Sequence, residues 1–125
     1  MPHKFDADKI RGFLEKSPFV SKVELVLIDE MENRGFYKLR AFLVPSPFKL
    51  DLKFIKTEND FIYSYQLYSH ESVARWDNEP HYPALPAYPH HAHAHGKVEP
   101  SPLSGHPEKD LVKLLELLPA FLTER

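Results

Sequence analysis

Six of the eight histidines in this chain lie in one proline-rich stretch between residues 76 and 106. They are His81, His90, His91, His93, His95 and His106. Imidazole titrates near neutral pH, exchanges protons with substrates and binds metal ions, so this concentration predicts that the chemistry of the protein is done here. Arg75 and Asp77 precede the histidines at alternate positions and add one cation and one anion.

One chemistry open to these residues is metal-free cleavage of RNA. A neutral imidazole takes the proton of a 2′-hydroxyl, a protonated imidazole donates to the leaving oxygen, and a guanidinium stabilises the phosphorane. The residues expected to be catalytic are Arg75, Asp77, His81, His90, His91 and His93. Arg75 would stabilise the transition state, and Asp77 would orient an imidazole or pair with Arg75. The chain would then be an endoribonuclease, a hydrolase.

The other chemistry is metal binding. The chain has no cysteine, so metal ligands must be imidazoles and carboxylates. His91, His93 and His95 are spaced by two and point to one side of an extended backbone, while His90 points to the other. Such a set suits zinc or another divalent transition metal. On this interpretation the histidine-rich loop makes the protein a non-catalytic metal-binding or protein-interaction module, and both interpretations stay open.

Two amphipathic helices are predicted, one near each end of the chain. Apolar residues recur at helical spacing over 7–14, behind Asp6 or Asp8 as the N-cap. The second helix has Pro107 at its first position and should kink or end at Pro119. Its apolar stripe consists of Leu111, Leu114, Leu115 and Leu118.

Between the helices the pattern is that of β-strands joined by turns. The predicted strands are 20–28, 36–44, 48–54, 61–68 and the shorter 71–77, which places Arg75 and Asp77 on one face. We therefore expect an α+β fold, an antiparallel meander sheet of four to five strands with the N-terminal and C-terminal helices packed on one face. A long His/Pro-rich loop, residues 78–105, precedes the last helix, either as an ordered strap across the sheet or as a disordered segment.

The sheet face that the helices leave open is predicted to be basic. Its residues would include Lys38, Arg40, Lys49, Lys53 and Tyr68. A basic, partly aromatic sheet face can follow a phosphate backbone and stack unpaired bases, which favours RNA binding. A charged outer face is also the default for an antiparallel sheet that buries one side, so a merely solvated face is the alternative.

Length and composition set the broad class of protein. With 125 residues and 42% hydrophobic residues, residues 1–125 should form a single domain. No apolar run approaches the ~20 residues that cross a bilayer, and the N-terminus lacks the pattern of a secretory signal, so we expect a soluble cytoplasmic protein with no membrane partner. One glutamine and three asparagines beside 12 prolines are typical of a thermophile.

A longer motif runs through the histidine-rich stretch. It reads Arg75-Trp76-Asp77-Asn78-Glu79-Pro80-His81, then Pro83, then Pro89-His90-His91-x-His93. This resembles the Arg-aromatic-Asp-Asn-x-Pro-His … Pro-His-His-x-His signature of the TumE-like toxin family of toxin-antitoxin systems. The resemblance implies a small α+β toxin that acts on RNA or translation and whose partner is an antitoxin protein with a helix-turn-helix domain. The leucine stripe after His106 is expected in the core, with an antitoxin or homodimer contact as the alternative.

Overall fold

The computed structural model describes residues 5–45, 47–80, 84–85 and 88–122. These residues form two helices and seven strands. In chain order they are α1 (Ala7–Glu15), β1 (Val20–Glu30), β2 (Gly35–Leu43), β3 (Lys49–Lys56), β4 (Phe61–Tyr68), β5 (Ser72–Asp77), β6 (His91–Ala94), β7 (Lys97–Pro100) and α2 (Pro107–Leu122). Neither of these helices is long and apolar enough to span a membrane.

All seven strands belong to one antiparallel sheet, in the order β1-β2-β3-β4-β5-β6-β7. The α+β class, the meander and the two terminal helices are confirmed. The expectation of four to five strands is wrong, because β6 and β7 form a hairpin inside the segment predicted to be a loop, 78–105. The residues of β6 that alternate with histidine are Ala92 and Ala94, and alanine has little β-propensity, which hid the strand.

The core lies between one face of the sheet and the two helices. We call this the helix face; it carries Leu39, Leu52, Tyr65 and Trp76, together with Ala92 and Ala94, all buried. α1 contributes Ile10 and Leu14, and α2 contributes Leu111, Leu114 and Leu118 to the same cluster. Each leucine that is fully buried there contributes about 1.5–3 kcal/mol relative to an exposed one, so burial of this face holds the helices on the sheet.

The helix ends agree with the sequence in part. Asp6 is the N-cap of α1, because its Oδ1 accepts from the Lys9 backbone N–H at 3.1 Å. α2 begins at Pro107 as predicted, but it continues through Pro119 to Leu122. Pro119 lies three residues from the end of α2, so it removes only one late hydrogen bond, while Leu122 keeps its place in the core.

Candidate active site on the outer face

The antiparallel pairing of β5 with β6 brings the predicted site residues together. Asp77 lies opposite His91, and Arg75 lies opposite His93. Because side chains alternate along a strand, all four project from the face away from the helices, which we call the outer face. We call Arg75, Asp77, His91 and His93 the outer cluster.

His91 is fixed through both ring nitrogens. Its Nε2 lies 3.0 Å from Asp77 Oδ1, and its Nδ1 lies 3.1 Å from the carbonyl oxygen of Pro89. The His91 and Asp77 side chains are only 2% and 3% exposed, so this contact is shielded from water. An oxygen thus faces each ring nitrogen and holds the imidazole in one orientation, and a metal ion shared by Nε2 and the Asp77 carboxylate is also compatible with this geometry.

Arg75 is positioned by two carboxylates. Its Nε donates to Asp77 Oδ2 at 3.0 Å, and its Nη2 donates to Glu79 Oε2 at 3.1 Å. The Glu79 backbone N–H donates to Asp77 Oδ1 at 3.1 Å, which closes the network. The Arg75 side chain is still 36% exposed, so its guanidinium can meet an anionic ligand.

His93 is the imidazole of the cluster that borders open space. Its ring is edge-to-face with that of His91, with centroids 5.0 Å apart. His93 is half-buried and lines a cavity of about 340 Å³ between the start of β5 and the turn of the β6-β7 hairpin. Ser72, His95 and Lys97 line the same cavity. A ligand in this cavity would meet His93 before His91.

Two other histidines belong to the helix face. His90 stacks on Tyr63 with ring centroids 5.8 Å apart, and the Tyr63 hydroxyl lies 2.9 Å from His90 Nδ1. Burial lowers the pKa of His90, against an opposing attraction from Asp110. His95 stacks on Phe121 of α2 at 5.6 Å.

The structure therefore divides the predicted site residues. It brings His91 and His93 to Arg75 and Asp77, and it does not bring His90 or His95 to them. His95 leaves the expected alternation because it stands in the hairpin turn with φ of 54°. His81 lies outside the described residues.

Glu79 is a site residue that the sequence did not single out. Its carboxylate and its backbone N–H hold Arg75 and Asp77 respectively. The signal available in the sequence was only its place four residues after Arg75, inside the motif.

The basic residues predicted on the open face do lie there, in register with the outer cluster. One cross-strand row runs Lys38, Lys53, Ser64, Asp77, His91. The next row runs Arg40, Asp51, Gln66, Arg75, His93. Neighbouring strands are about 4.8 Å apart, so the rows extend the site across the sheet.

Part of this positive charge is already neutralised by Asp51. Arg40 donates to both oxygens of Asp51 at 2.9 and 3.1 Å, and the Tyr68 hydroxyl donates to Oδ1 at 2.9 Å. Lys38 is 3.7 Å from the same carboxylate. Lys49 lies over the rings of Phe42 and Tyr68. The outer face is thus a network of paired charges rather than a simple basic patch.

Three residues of the outer cluster also have the geometry of a metal site. Asp77, His91 and His93 each present one ligand atom, and these atoms lie within 4.8 Å of one another. The third candidate ligand beside His91 and His93 is thus Asp77, whereas the sequence predicted His95.

The fold and the outer cluster define an α+β protein with a meander sheet and an imidazole-carboxylate-guanidinium site on its open face. The chain belongs to the TumE toxin family, because the family model described as Toxin TumE matches residues 10–124. This confirms the family that the motif from Arg75 to His93 indicated. Membership supports a toxin role and implies a cognate antitoxin partner. No curated protein and no solved structure matches the chain.

Proposed function

We propose that this protein is the toxin of a toxin-antitoxin pair and that it cleaves RNA at the outer cluster. The observation that carries the proposal is the buried contact of His91 with Asp77, next to a second imidazole and a guanidinium. His93 and Arg75 supply one proton-transferring imidazole and the anion-stabilising group of phosphodiester cleavage, and a second imidazole completes the set.

Each group has a role in this proposal. The 2′-oxygen attacks phosphorus as one imidazole takes its proton, and the bond from phosphorus to the 5′-oxygen breaks as the other imidazole donates a proton to that oxygen. His93 borders the cavity and would meet the substrate directly. His91, whose ring nitrogens are engaged by Asp77 and Pro89, would hold Asp77 in position, and Arg75 would neutralise the phosphorane. The second imidazole would be His81, which the sequence predicts as catalytic and which lies outside the described residues. Because one imidazole must be neutral and the other protonated, the rate should pass through a maximum with pH.

The outer face would guide the RNA strand to this site. Lys38 and Lys53 lie in the cross-strand row that ends at Asp77 and His91. Arg40, Lys49 and Tyr68 lie beside them on the same face. Cations attract the phosphate backbone and a tyrosine ring can stack an unpaired base, so single-stranded RNA is the proposed substrate.

We expect the antitoxin to contain a helix-turn-helix domain and to be encoded by a neighbouring gene, and we expect the toxin to act in the cytoplasm. A neighbouring gene for a metal transporter would instead favour a metal-handling role.

The test is cleavage of labelled single-stranded RNA by the purified full chain and two variants. His93→Ala should lower the rate by about 10²- to 10⁴-fold, which is the usual contribution of a general acid or base. His106→Ala is the matched control, because His106 is an exposed histidine just before α2 and is not among the residues that line the cavity. Wild-type cleavage by His93→Ala would exclude His93 as acid or base.

Metal binding is the second candidate function, because a specific arrangement favours it. Asp77, His91 and His93 offer two imidazoles and a carboxylate, a set that binds zinc and other divalent transition metals and leaves positions for water. His91 Nδ1 faces the Pro89 carbonyl, and Asp77 Oδ2 accepts from Arg75. Contacts of this kind orient the ligands in metal sites. The protein would then be a non-catalytic metal-binding or interaction module.

Zinc titration separates the two candidates. If the native state binds zinc, a concentration one hundred times the Kd should stabilise it by about 2.7 kcal/mol and raise the Tm by about 10 °C. His93→Ala should lose this shift, while His95→Ala should keep it. RNA cleavage that persists after treatment with EDTA would support the metal-free mechanism. A Tm that does not respond to saturating zinc would exclude the metal site.

A further inference from the structure

β1 is an edge strand whose outer side is unusually apolar. Among the described residues it pairs with β2 alone, and at 11 residues it is the longest strand of the sheet. Val26, Leu27 and Ile28 on β1 and Met31 just after it are between 43% and 59% exposed. Among the described residues, the other large apolar side chains that are equally exposed are Val44 just after β2, Tyr88, and Val112 on α2. A long apolar edge is a template for another strand.

We propose that β1 pairs with β1 of a second copy of this chain, antiparallel, around a two-fold axis between Leu25 and Val26. A two-fold contact must be self-complementary, so every residue and its opposite residue must lie on the same face of the joined sheet. The alternation of faces along β1 therefore decides which registers are allowed.

The β-bulge in β1 sets that alternation. The pairing with β2 places Val23, Leu25 and Ile28 on the helix face. The same pairing places Lys22, Glu24, Leu27 and Asp29 on the outer face, because the bulge between Leu25 and Leu27 shifts the alternation by one residue. When two copies of β1 pair antiparallel, a residue before the bulge can therefore lie opposite a residue after the bulge with both side chains on the same face.

Charge selects one register among those allowed. With the axis between Leu25 and Val26, Val23 lies opposite the partner's Ile28, and Lys22 lies opposite the partner's Asp29. The apolar pair falls on the helix face and the opposite-charge pair on the outer face, and the symmetry makes each pair occur twice. If the axis moves by one residue toward the C-terminus, Glu24 lies opposite the partner's Asp29, which is a like-charge pair and unfavourable.

The dimer would leave the outer cluster accessible. β6 is the sixth strand from the edge, so the two clusters would lie on one continuous outer face, about 50 Å apart at the usual strand spacing. The inference is therefore independent of the proposed RNA cleavage, and either one can fail without the other.

Sedimentation of the full chain over a concentration series tests the proposal. The wild-type chain should show a monomer-dimer equilibrium, and Ile28→Lys should shift it to monomer, because the new charge lies opposite the partner's Val23. Val112→Lys is the matched control, since Val112 is an equally exposed residue on α2, and should leave the equilibrium unchanged. Unchanged melting temperatures establish that the variants remain folded.

A charge exchange tests the register itself. Lys22→Glu should weaken the dimer at least tenfold, because the introduced carboxylate lies opposite the partner's Asp29, and adding Asp29→Lys should restore it. A chain that stays monomeric at millimolar concentration, or a dimer that responds to neither Ile28→Lys nor Lys22→Glu, would overturn the proposal. Binding to an antitoxin from the neighbouring gene that Ile28→Lys disrupts, with no self-association, would assign this edge to the antitoxin instead.

Discussion

The outer cluster and the histidines of the helix face are two environments for the same side chain, a few residues apart. His91 and His93 lie against Asp77 and Arg75, so charged groups surround them. His90 and His95 stack on the aromatic rings of Tyr63 and Phe121. The comparison indicates that position in a strand, rather than residue type, decides which imidazoles are equipped for proton transfer or metal binding.

The largest effect in this comparison should come from Asp77. Asp77→Ala removes the acceptor of Arg75 Nε and of the Glu79 backbone N–H, and it removes the carboxylate that lies 3.0 Å from the buried His91 Nε2. We expect a loss of about 3 kcal/mol in the free energy of unfolding, measured in urea, and loss of RNA cleavage.

Asp51→Ala is the control for that prediction. Asp51 is the other described outer-face carboxylate with several donors, but it contacts none of the described histidines. Its loss should cost about 1 kcal/mol and leave cleavage largely intact. Equal damage to cleavage in both variants would mean that outer-face charge in general, rather than the outer cluster, supports activity.

On the helix face, His90 should affect stability rather than chemistry. His90→Ala removes the hydrogen bond with the Tyr63 hydroxyl and the stacked ring. The expected cost is about 1–2 kcal/mol in the free energy of unfolding, with the cleavage rate of the folded protein nearly unchanged. Loss of cleavage in a folded His90→Ala variant would mean that His90 takes part in the chemistry, contrary to its assignment to the helix face.

His90 should also make the stability of the folded protein depend on pH. Because burial lowers its pKa, the unfolded state binds a proton at higher pH than the folded state does. This contribution to stability is complete above the unfolded pKa of about 6.5 and is lost as the pH falls through the folded value. The Tm measured between pH 5 and 8 should therefore fall at the acidic end, and less so in His90→Gln, whose amide does not titrate and can hydrogen-bond to the Tyr63 hydroxyl. If the wild-type chain and His90→Gln show the same dependence of Tm on pH, the titration of His90 is not its cause.

The smallest expected effect concerns the route of the RNA over the outer face. Lys53 lies two strands from Asp77 in the same cross-strand row. If it contacts one phosphate, Lys53→Ala should weaken RNA binding modestly and reduce the slope of log K against log salt by about 0.7. Lys113→Ala, on α2, is the control. If the slope of log K against log salt is unchanged in Lys53→Ala, the RNA does not contact this cross-strand row at Lys53.

Much of this architecture could be predicted from the sequence, because it depends on local patterns. Helical spacing indicated both helices, and period-two alternation indicated five strands and placed Arg75 and Asp77 on one face. β6 was missed because Ala92 and Ala94 carry almost no strand signal, although His91 and His93 alternate with them. His95 was grouped with them because spacing alone does not reveal that residue 95 occupies a turn at positive φ. The role of Glu79 depends on contacts that only the folded chain creates.

The cluster also depends on a very short piece of secondary structure. β6 has four residues, and it is tied to the rest of the sheet by β5 on one side and by the four-residue edge strand β7 on the other. Opening this hairpin would move His91 and His93 away from Asp77 and Arg75 while the leucine core of β2 to β4 stayed folded. We therefore expect the assembly of the site to depend on a local closing equilibrium, so amide exchange in residues 91–100 should be faster than in the central strands.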